Sequence, residues 1–298
     1  MYRVYNAAVK TPPSFSIVIP ALNEEKYIHY LLKDLVAQTF TNFETIVVDA
    51  SSTDKTVAKA KLFTKTLHPH IQSNTARNVS TQRNLGAAMA RGQWIIFMDA
   101  DNRIPKHFLQ GIRYQLDKHP KTDVFSCWID PDAYSTADKP LIQLANIGVE
   151  LATKVKPQSP GALIGAQRKV LKKVKFDESL TLSEDHEFLS DVVKKGFSFT
   201  IFRDPQYVYS LRRLKHEGRL KMLRVFAQAQ MMYLTGQKIT KAQAFYPMNG
   251  GATHTLSPKK LSLFERMVVS FNSISSTQLK QAKKMLNLFK ELTSLDYE

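Results

Sequence analysis

Short apolar runs alternate with amphipathic segments over the first hundred residues. Apolar or β-branched runs of four to eight residues that end in polar or turn residues are typical of buried strands. Apolar residues three and four positions apart, as at Ile28, Leu31, Leu32 and Leu35, are typical of helices. The pattern predicts strands at 14–20, 43–50, 68–74 and 94–98, and helices after an N-cap at Asn23, at about 53–66, at 78–91 and from Pro105 to about Asp117. This alternation predicts right-handed βαβ units and a parallel sheet flanked by helices.

The second half of the chain gives a more mixed pattern without an internal repeat or a low-complexity tract. It predicts a strand at 123–130, a helix at 139–156, a glycine-punctuated strand joined to a short basic helix at 161–174, a helix start within the acidic cluster of 176–197, a β pair or meander near 197–211, a helix at 219–235, and one or two basic amphipathic helices within 259–295. The basic helices could cover the sheet or lie on a membrane surface.

The apolar run from Trp94 to Met98 ends abruptly in Asp99-Ala100-Asp101. In an extended segment residues i and i+2 point to the same side, so both carboxylates can face one site. The carboxyl end of a strand is also where ligands bind in open α/β sheets. Two hard oxygen ligands suit Mg²⁺ or Mn²⁺, although an Asp-rich turn without a metal explains the same residues.

Other polar residues fall at the ends of the predicted strands or just before one. Pro20 to Glu25 follow the first strand, Asp49 follows the second, and Arg83 and Asn84 lie on the helix before the fourth. If these strands are parallel, a crevice with several carboxylates forms at one edge, where Asp49 could accept from a base N–H. The alternatives are a helix-capping Asp49, surface glutamates at a helix start, and a solvated Arg83.

The chain carries a formal charge of +16, with the excess of Lys and Arg heavier after residue 150. This favours an anionic partner, such as a sugar nucleotide, an anionic membrane surface or nucleic acid. A single cysteine, Cys127, excludes an internal disulfide and lies in an apolar run, as a small core residue would. A signal-like N-terminus and an apolar run of membrane-spanning length are both missing from the sequence. We expect a soluble or peripheral, cytoplasmic protein.

Four blocks together resemble family 2 glycosyltransferases, which have the GT-A fold. The blocks are SIVIPALNEE, IVVDASSTDKT, STQRNLGAAMARGQWIIFMDAD and GALIGAQRKVLKKVKFDESLTLSEDHEF, in the family's order and with similar spacing, over about residues 14 to 213. The resemblance implies an α/β fold with a mostly parallel, Rossmann-like sheet. It also implies a catalytic domain at 1–220, with a nucleotide-sugar half at 14–104 and an acceptor half at 105–220, followed by a C-terminal helical extension at 221–298.

The same resemblance implies roles for individual residues. Those matching the family's nucleotide-sugar site are Pro20, Ala21, Asn23, Glu25, Asp49, Arg83, Asn84 and Asp99. Asp101 would bind the divalent metal, Mn²⁺ or Mg²⁺, and Asp99 would lie near the ribose. Ala50 stands where the family often has a second acidic residue beside Asp49, which leaves the base contacts open; a UDP-sugar is favoured over a GDP-sugar.

Glu184 and Asp185 match the family's Glu-Asp motif. Sugar transfer needs charge relief on the leaving diphosphate and a base that removes a proton from the acceptor hydroxyl. The resemblance implies that Asp185 is this base. A single displacement with the base opposite the leaving group would invert the anomeric carbon, and Glu184 could help hold the acceptor. The alternative is a capping Ser183 followed by acidic residues in a first helical turn.

Arg212 and Arg213 could clamp phosphates with their planar donors, and His216 could complete a metal shell. A helix with solvated basic residues explains the same segment. The Gln-x-x-Arg-Trp pattern of processive synthases is missing, which favours single additions.

The sequence thus predicts a metal-dependent, inverting glycosyltransferase that uses a nucleoside-diphosphate sugar. The acceptor would be a hydroxyl or phosphate, on a glycan or a lipid-linked glycan, with peripheral contact to an anionic membrane and no nucleic acid partner. Alternatives are a polyprenyl-phosphate glycosyl synthase, a nucleotidyltransferase and a non-enzymatic basic module that binds anions or membranes. ALNEE, without glycine, argues against a nucleotidyltransferase, which would need a Gly-rich basic loop there.

Overall fold

The computed structural model of the protein describes residues 12–131, 139–160, 163–210, 212 and 219–240. The chain divides into two compact units, 1–255 and 256–298, and the second unit lies outside the described residues. The helices predicted within 259–295 therefore also lie outside them. Within the described ranges, no helix is both long enough and apolar enough to cross a membrane.

Nine strands and eight helices are described in the first unit. In chain order they are β1 (Phe15–Ala21), α1 (Ile28–Val36), β2 (Phe43–Asp49), α2 (Thr56–Lys61), β3 (His70–Ser73), α3 (Val79–Met89), β4 (Trp94–Phe97), α4 (Phe108–Lys118), β5 (Val124–Pro131), α5 (Lys139–Ala152), β6 (Ile164–Gln167), α6 (Arg168–Leu171), β7 (Leu180–Leu182), α7 (Glu184–Lys194), β8 (Phe199–Tyr209), α8 (Arg219–Leu234) and β9 (Ile239–Thr240). Helix α8 crosses the predicted boundary at residue 220 between the catalytic domain and the extension.

Seven strands form the main sheet in the order β3-β2-β1-β4-β6-β5-β8. Strands β1 to β4 pair in parallel, as do β5 and β8, whereas β6 runs antiparallel to both of its neighbours. The predicted mostly parallel sheet is confirmed. Strand β1 lies between β2 on one side and β4 on the other. The strand order reverses at the β1–β4 boundary, which is therefore the switch point where ligands bind in such sheets.

The central strands are buried on both faces, because side chains alternate between two hydrophobic clusters. In β4, Ile96 contributes to one cluster, which also holds the buried faces of α1 and α4. Ile95 and Phe97 contribute to the other, together with Phe188 and Leu189 of α7. Strands covered on both sides read as continuous apolar runs, which is why they were predictable from the sequence.

Helix α3 lies unusually close to β1 at Gly86. A Cβ built on this glycine would come within 2.3 Å of Cγ1 of Val18. The small residues of α3 therefore let the helix approach the sheet, and this places Gln82 and Arg83 at the ends of the strands.

Residues 197–211 were predicted as a β pair or meander, and this prediction is wrong. They contain one long strand, β8, which pairs in parallel with β5 along its length and has an irregularity opposite Trp128. Pro205 interrupts the sequence pattern, but β8 is the last strand of the sheet, and proline is tolerated in an edge strand.

Candidate active site

The polar residues predicted to follow the strands do lie at one edge of the sheet. Ala21 and Asp49 are partners at the carboxyl ends of β1 and β2, and Asp99 and Asp101 follow β4 beside β1. Gln82 of α3 ties the first two strand ends together, because its amide donates to the backbone oxygens of Ala21, at 3.0 Å, and of Val48, at 2.6 Å. Pro20 is buried within β1 beside Val48.

Asp49 is a buried carboxylate with one oxygen occupied. It is 2% exposed, and Oδ2 accepts a hydrogen bond from the Ser52 backbone N–H over 3.0 Å. Oδ1 is buried and has no hydrogen-bond partner within the described ranges. A buried polar atom is costly unless it is paired, so Oδ1 has unused capacity to accept a hydrogen bond. The bond to Ser52 closes a turn, so Asp49 does not cap α2, which begins at Thr56.

Asn23 and Glu25 join the loop after β1 to the loop after β2. The Thr53 N–H donates to Oδ1 of Asn23 over 2.9 Å, and the Lys55 N–H donates to Oε2 of Glu25 over 3.0 Å. Asn23 has a left-handed backbone, with φ of 55°, and α1 begins only at Ile28 without a side-chain cap. The predicted N-cap at Asn23 is therefore wrong, because its amide binds the second loop instead.

Arg83 is buried between the two predicted halves of the domain. It is 2% exposed, and NH1 donates to Oε1 of Glu184 over 2.9 Å, while NH2 lies 3.3 Å from Oδ1 of Asp99. Its guanidinium also lies over the Phe176 ring. Burial disfavours the charge, but Glu184 and Asp99 outweigh this and hold the pKa of Arg83 above its ordinary value. The alternative of a solvated helix charge is excluded.

Asn84 binds protein backbone from the acceptor half. Its Nδ2 donates to the Phe176 oxygen over 2.9 Å and to Oε1 of Glu178 over 2.8 Å, and its Oδ1 accepts from the Phe176 N–H over 3.0 Å. In this arrangement its amide positions the segment that leads into β7.

Arg212 lies between carboxylates from two strand ends. NH1 and NH2 each donate to Glu24 over 2.6 Å, and Nε is 3.0 Å from Oδ2 of Asp101. The guanidinium also stacks over the Tyr27 ring at 4.7 Å. Burial raises the pKa of Glu24 to about 7, although the contact with Arg212 opposes this shift. Arg213 and His216 lie outside the described residues.

Asp185 lies in the first turn of α7, two residues after the left-handed Ser183, which has φ of 59° and makes no side-chain cap hydrogen bond. The interpretation of Ser183 as a capping residue is therefore wrong. Oδ1 of Asp185 accepts from the His186 N–H over 2.8 Å. Oδ2 lies 3.5 Å from the Ser159 hydroxyl and 3.9 Å from Nε2 of His186. Both of these distances are long for hydrogen bonds, so Oδ2 is the oxygen better able to accept from a ligand hydroxyl.

Segment 156–159 was not predicted to belong to the candidate site, and it lies against α7 and α8. The Lys156 ammonium donates to the backbone oxygen of Tyr233, and the Tyr233 hydroxyl donates to the backbone oxygen of Pro157. Gln230 donates to Gln158 over 2.7 Å, and Nε2 of Gln158 is buried without a hydrogen-bond partner in the described part of the chain. These contacts fix the Ser159 hydroxyl beside Asp185. The segment is placed beside Asp185 only by contacts with residues that are distant in sequence, such as Gln230 and Tyr233.

Asp99 and Asp101 fit a divalent cation as a partial ligand set. They provide hard oxygens at the switch point, and the Asp99 side chain is 37% exposed. Among the described residues no group of three or more His, Cys, Asp and Glu side chains could hold a metal ion. Phosphate oxygens or water, which are usual ligands of Mg²⁺, would add to this set.

Residues 16–197 match the family model described as glycosyl transferase family 2. This range is more than half of the chain. The chain belongs to glycosyltransferase family 2.

One relative of this family 2 member is the poly(ribitol-phosphate) beta-N-acetylglucosaminyltransferase TarS of Staphylococcus aureus (strain Mu50), which is 26% identical over 211 residues. The match covers 67% of this chain but only 36% of TarS. The chain therefore spans little more than a third of that relative's length.

Two groups of solved structures share the fold. The structure of S. aureus TarS 1-349 in complex with UDP has a TM-score of 0.55 and 22% identity, and the match covers 74% of this chain and 65% of that one. The mannosyltransferase PcManGT from Pyrobaculum calidifontis in complex with GDP-Man and Mn²⁺ has a TM-score of 0.61 and 18% identity, and the match covers 94% and 81%. These likenesses confirm the predicted GT-A fold.

Proposed function

We propose that this protein transfers a sugar from a nucleoside-diphosphate sugar to an acceptor hydroxyl, with a divalent Mn²⁺ or Mg²⁺ ion and with inversion at the anomeric carbon. The observation that carries the proposal is the position of Arg83. Its buried guanidinium contacts Asp99, on the proposed donor side, and Glu184, which precedes the proposed base Asp185. The proposed donor carboxylate and the helix of the proposed base are thereby tied to one buried side chain.

On the donor side, the unpaired Oδ1 of Asp49 would accept from an N–H of the base. The loop held by Asn23 and Glu25 would form the wall of the nucleoside pocket. Asp101, with Asp99 beside it, would hold the cation, which supplies neutralisation of charge on the leaving diphosphate. Arg212 would add donors for the same phosphates.

On the acceptor side, Oδ2 of Asp185 would take the proton as the acceptor oxygen attacks the anomeric carbon. A single displacement places the nucleophile opposite the leaving group and so inverts that carbon. We assign Glu184 a positioning role, because its carboxylate is bound to Arg83 and is 8% exposed. The Ser159 hydroxyl, close to Oδ2, would orient the incoming hydroxyl.

The donor and acceptor classes rest on the comparisons and on charge. TarS was solved with UDP and PcManGT with GDP-Man and Mn²⁺, which supports both nucleotides as candidates, and we favour UDP. The name of TarS refers to poly(ribitol-phosphate), which is an anionic polymer. Together with the net charge of +16, this supports an anionic acceptor, either a glycan or a lipid-linked glycan, and peripheral contact with an anionic membrane.

The proposal is tested by incubating the purified chain with UDP-GlcNAc, UDP-glucose or GDP-mannose, with Mn²⁺, Mg²⁺ or EDTA, and measuring released UDP or GDP. We expect metal-dependent release with at least one donor, to water or to added polyol phosphate. Asp185→Asn should lose release, whereas Asp191→Asn, an exposed carboxylate on the same helix, should keep it.

Two outcomes would contradict the proposal. Equal release by the wild type and by Asp185→Asn would remove Asp185 as the base. If no donor is turned over and no nucleotide stabilises the fold, a non-enzymatic anion-binding module becomes the better account. A shift in melting temperature with UDP and Mn²⁺ separates these cases, since a bound ligand stabilises the folded state.

A further inference from the structure

Glu24 is a buried carboxylate to which the proposed mechanism gives no role. It is 6% exposed, and its backbone N–H donates to the Thr56 hydroxyl oxygen over 2.7 Å. A buried carboxylate lowers the stability of the fold unless a cation pairs with it. Its partner is Arg212, which lies 188 positions later in the chain.

The pair has the geometry that fixes a guanidinium in orientation. Both terminal nitrogens of Arg212 donate to the two oxygens of Glu24, each over 2.6 Å. Two parallel hydrogen bonds of this kind set the plane of the group, and the Tyr27 ring at 4.7 Å covers one of its faces. Each terminal nitrogen also carries a second N–H that Glu24 does not use.

Asp101 is the second carboxylate beside Arg212, and it contacts one nitrogen of the guanidinium, whereas Glu24 contacts two. It lies 3.0 Å from Nε, so one guanidinium is shared between Glu24 and Asp101. Asp101 is also the proposed ligand of the divalent cation. Arg212 and the cation would therefore compete for charge on the same carboxylate, and the hold of Glu24 on Arg212 decides how strongly they compete.

We propose that Glu24 is a positioning residue for donor binding, which aims Arg212 at the donor diphosphate and limits how strongly Arg212 neutralises Asp101. This inference rests on the proposed function. Without the charge of Glu24, Asp101 is the remaining carboxylate in contact with Arg212, and the guanidinium neutralises it more strongly. Without Arg212, Asp101 has no such competing cation.

A merely structural role for the pair predicts something different. If the Glu24–Arg212 pair only holds the loop after β1 to the chain at Arg212, loss of either partner removes the same contact. Both variants would then affect stability and ligand binding in the same direction. The positioning role instead predicts that the two variants weaken nucleotide binding together but change metal binding in opposite directions.

The test uses the full chain with Glu24→Gln, Arg212→Gln, the double variant and the control Glu150→Gln. Glu150 also forms a two-nitrogen pair with an arginine, Arg203, but on α5 and β8. Calorimetric titration with UDP in Mg²⁺ should show roughly tenfold weaker binding for each single variant. The double variant should be no weaker than either single one, since Glu24 acts through Arg212. Glu150→Gln should bind as the wild type does.

The second measurement is Mn²⁺ binding alone, followed by electron paramagnetic resonance without nucleotide. Arg212→Gln should bind Mn²⁺ several-fold more tightly than the wild type, and Glu24→Gln should bind it several-fold more weakly. Melting temperatures establish that each variant is folded.

The inference is overturned if the UDP losses of the two single variants add, or if both variants shift Mn²⁺ affinity in the same direction. Wild-type affinity of Glu24→Gln for both ligands would also overturn it. If the wild type itself binds neither UDP nor GDP, the proposed function fails, and the inference fails with it. If the wild type binds UDP or GDP, the other outcomes test only the role of Glu24 and leave the proposed function standing.

Discussion

NH1 of Arg83 donates to Oε1 of Glu184 over 2.9 Å, across 101 positions of the chain and with the Arg83 side chain 3% exposed. One partner belongs to the helix that packs on β1, and the other begins the helix that carries Asp185. The pair therefore fixes the distance between the predicted nucleotide-sugar half and the predicted acceptor half. The hydrogen bonds of Asn84 to Phe176 and Glu178 add further contacts between the same two parts of the chain.

Arg83→Gln should destabilise the protein by about 3–5 kcal/mol, because it leaves the carboxylate of Glu184 buried without its cation. Urea unfolding followed by circular dichroism measures this. The control is Arg91→Gln, which removes a pair between an arginine that is 67% exposed and Glu44. An exposed pair contributes about 1 kcal/mol or less. Equal losses in the two variants would contradict the special role of Arg83.

Much of the fold followed from the hydrophobic pattern, because β1, β2 and β4 are covered on both faces and read as apolar runs. Their parallel pairing was predictable from the alternation with helices, and it brought Asp49, Asp99 and Asp101 to one edge. Cys127 is a buried core residue, as expected.

The ion pairs of the site were not predictable in this way. Glu24 and Arg83 both lie in segments with helical or polar patterns, where charged residues usually face solvent. Their partners, Arg212 and Glu184, are separated from them by 188 and 101 positions. Local spacing carries no information on such contacts. The start of α1 was misplaced for a related reason, since the Asn23 amide binds a different loop.

The close packing of α3 on β1 makes Gly86 sensitive to substitution. Gly86→Ala would place a Cβ 2.3 Å from Val18, so the helix must shift, at a cost of about 1–3 kcal/mol. Gly148, in α5, has no atom within 4 Å of a built Cβ. Gly148→Ala should therefore stabilise the protein by up to about 1 kcal/mol through helix propensity. Thermal unfolding compares the two, and equal effects would contradict this packing.

Tyr233 holds the segment 156–159 against α7. Its hydroxyl donates to the Pro157 oxygen and lies 3.2 Å from the His186 oxygen. Tyr233→Phe should cost about 1 kcal/mol in the free energy of unfolding and should lower sugar transfer, with UDP affinity unchanged, because the contact lies on the acceptor side. Tyr114 is 54% exposed, so Tyr114→Phe should change neither the free energy of unfolding nor the rate of sugar transfer. A loss of UDP affinity in Tyr233→Phe would contradict this division of the site.

The raised pKa of Glu24 predicts a dependence of stability on pH. Burial raises this pKa from 4.5 to about 7, so between these values the folded protein binds more protons than the unfolded chain. The free energy of unfolding attributable to Glu24 therefore falls as pH rises through this window, by about 1–3 kcal/mol.

Glu24→Gln should remove that contribution, and the comparison is made by urea unfolding at pH 5.0 and about pH 7.5. The wild type should lose more stability over this range than the variant does. Carboxyl groups with lowered pKa values, such as Glu44, are common to both proteins and cancel in the difference. Parallel pH profiles for the two proteins would show that Glu24 does not titrate in this range.

The central claim is that Asp101 serves the donor and Asp185 serves the acceptor within one active site. Calorimetric titration with UDP in the presence of Mn²⁺, on the wild type, Asp101→Asn and Asp185→Asn, tests it most directly. We predict that the wild type and Asp185→Asn bind UDP with similar affinity, and that Asp101→Asn loses at least about tenfold, since it removes a charged ligand of the cation. Wild-type affinity in Asp101→Asn, or no UDP binding by the wild type, would contradict the account.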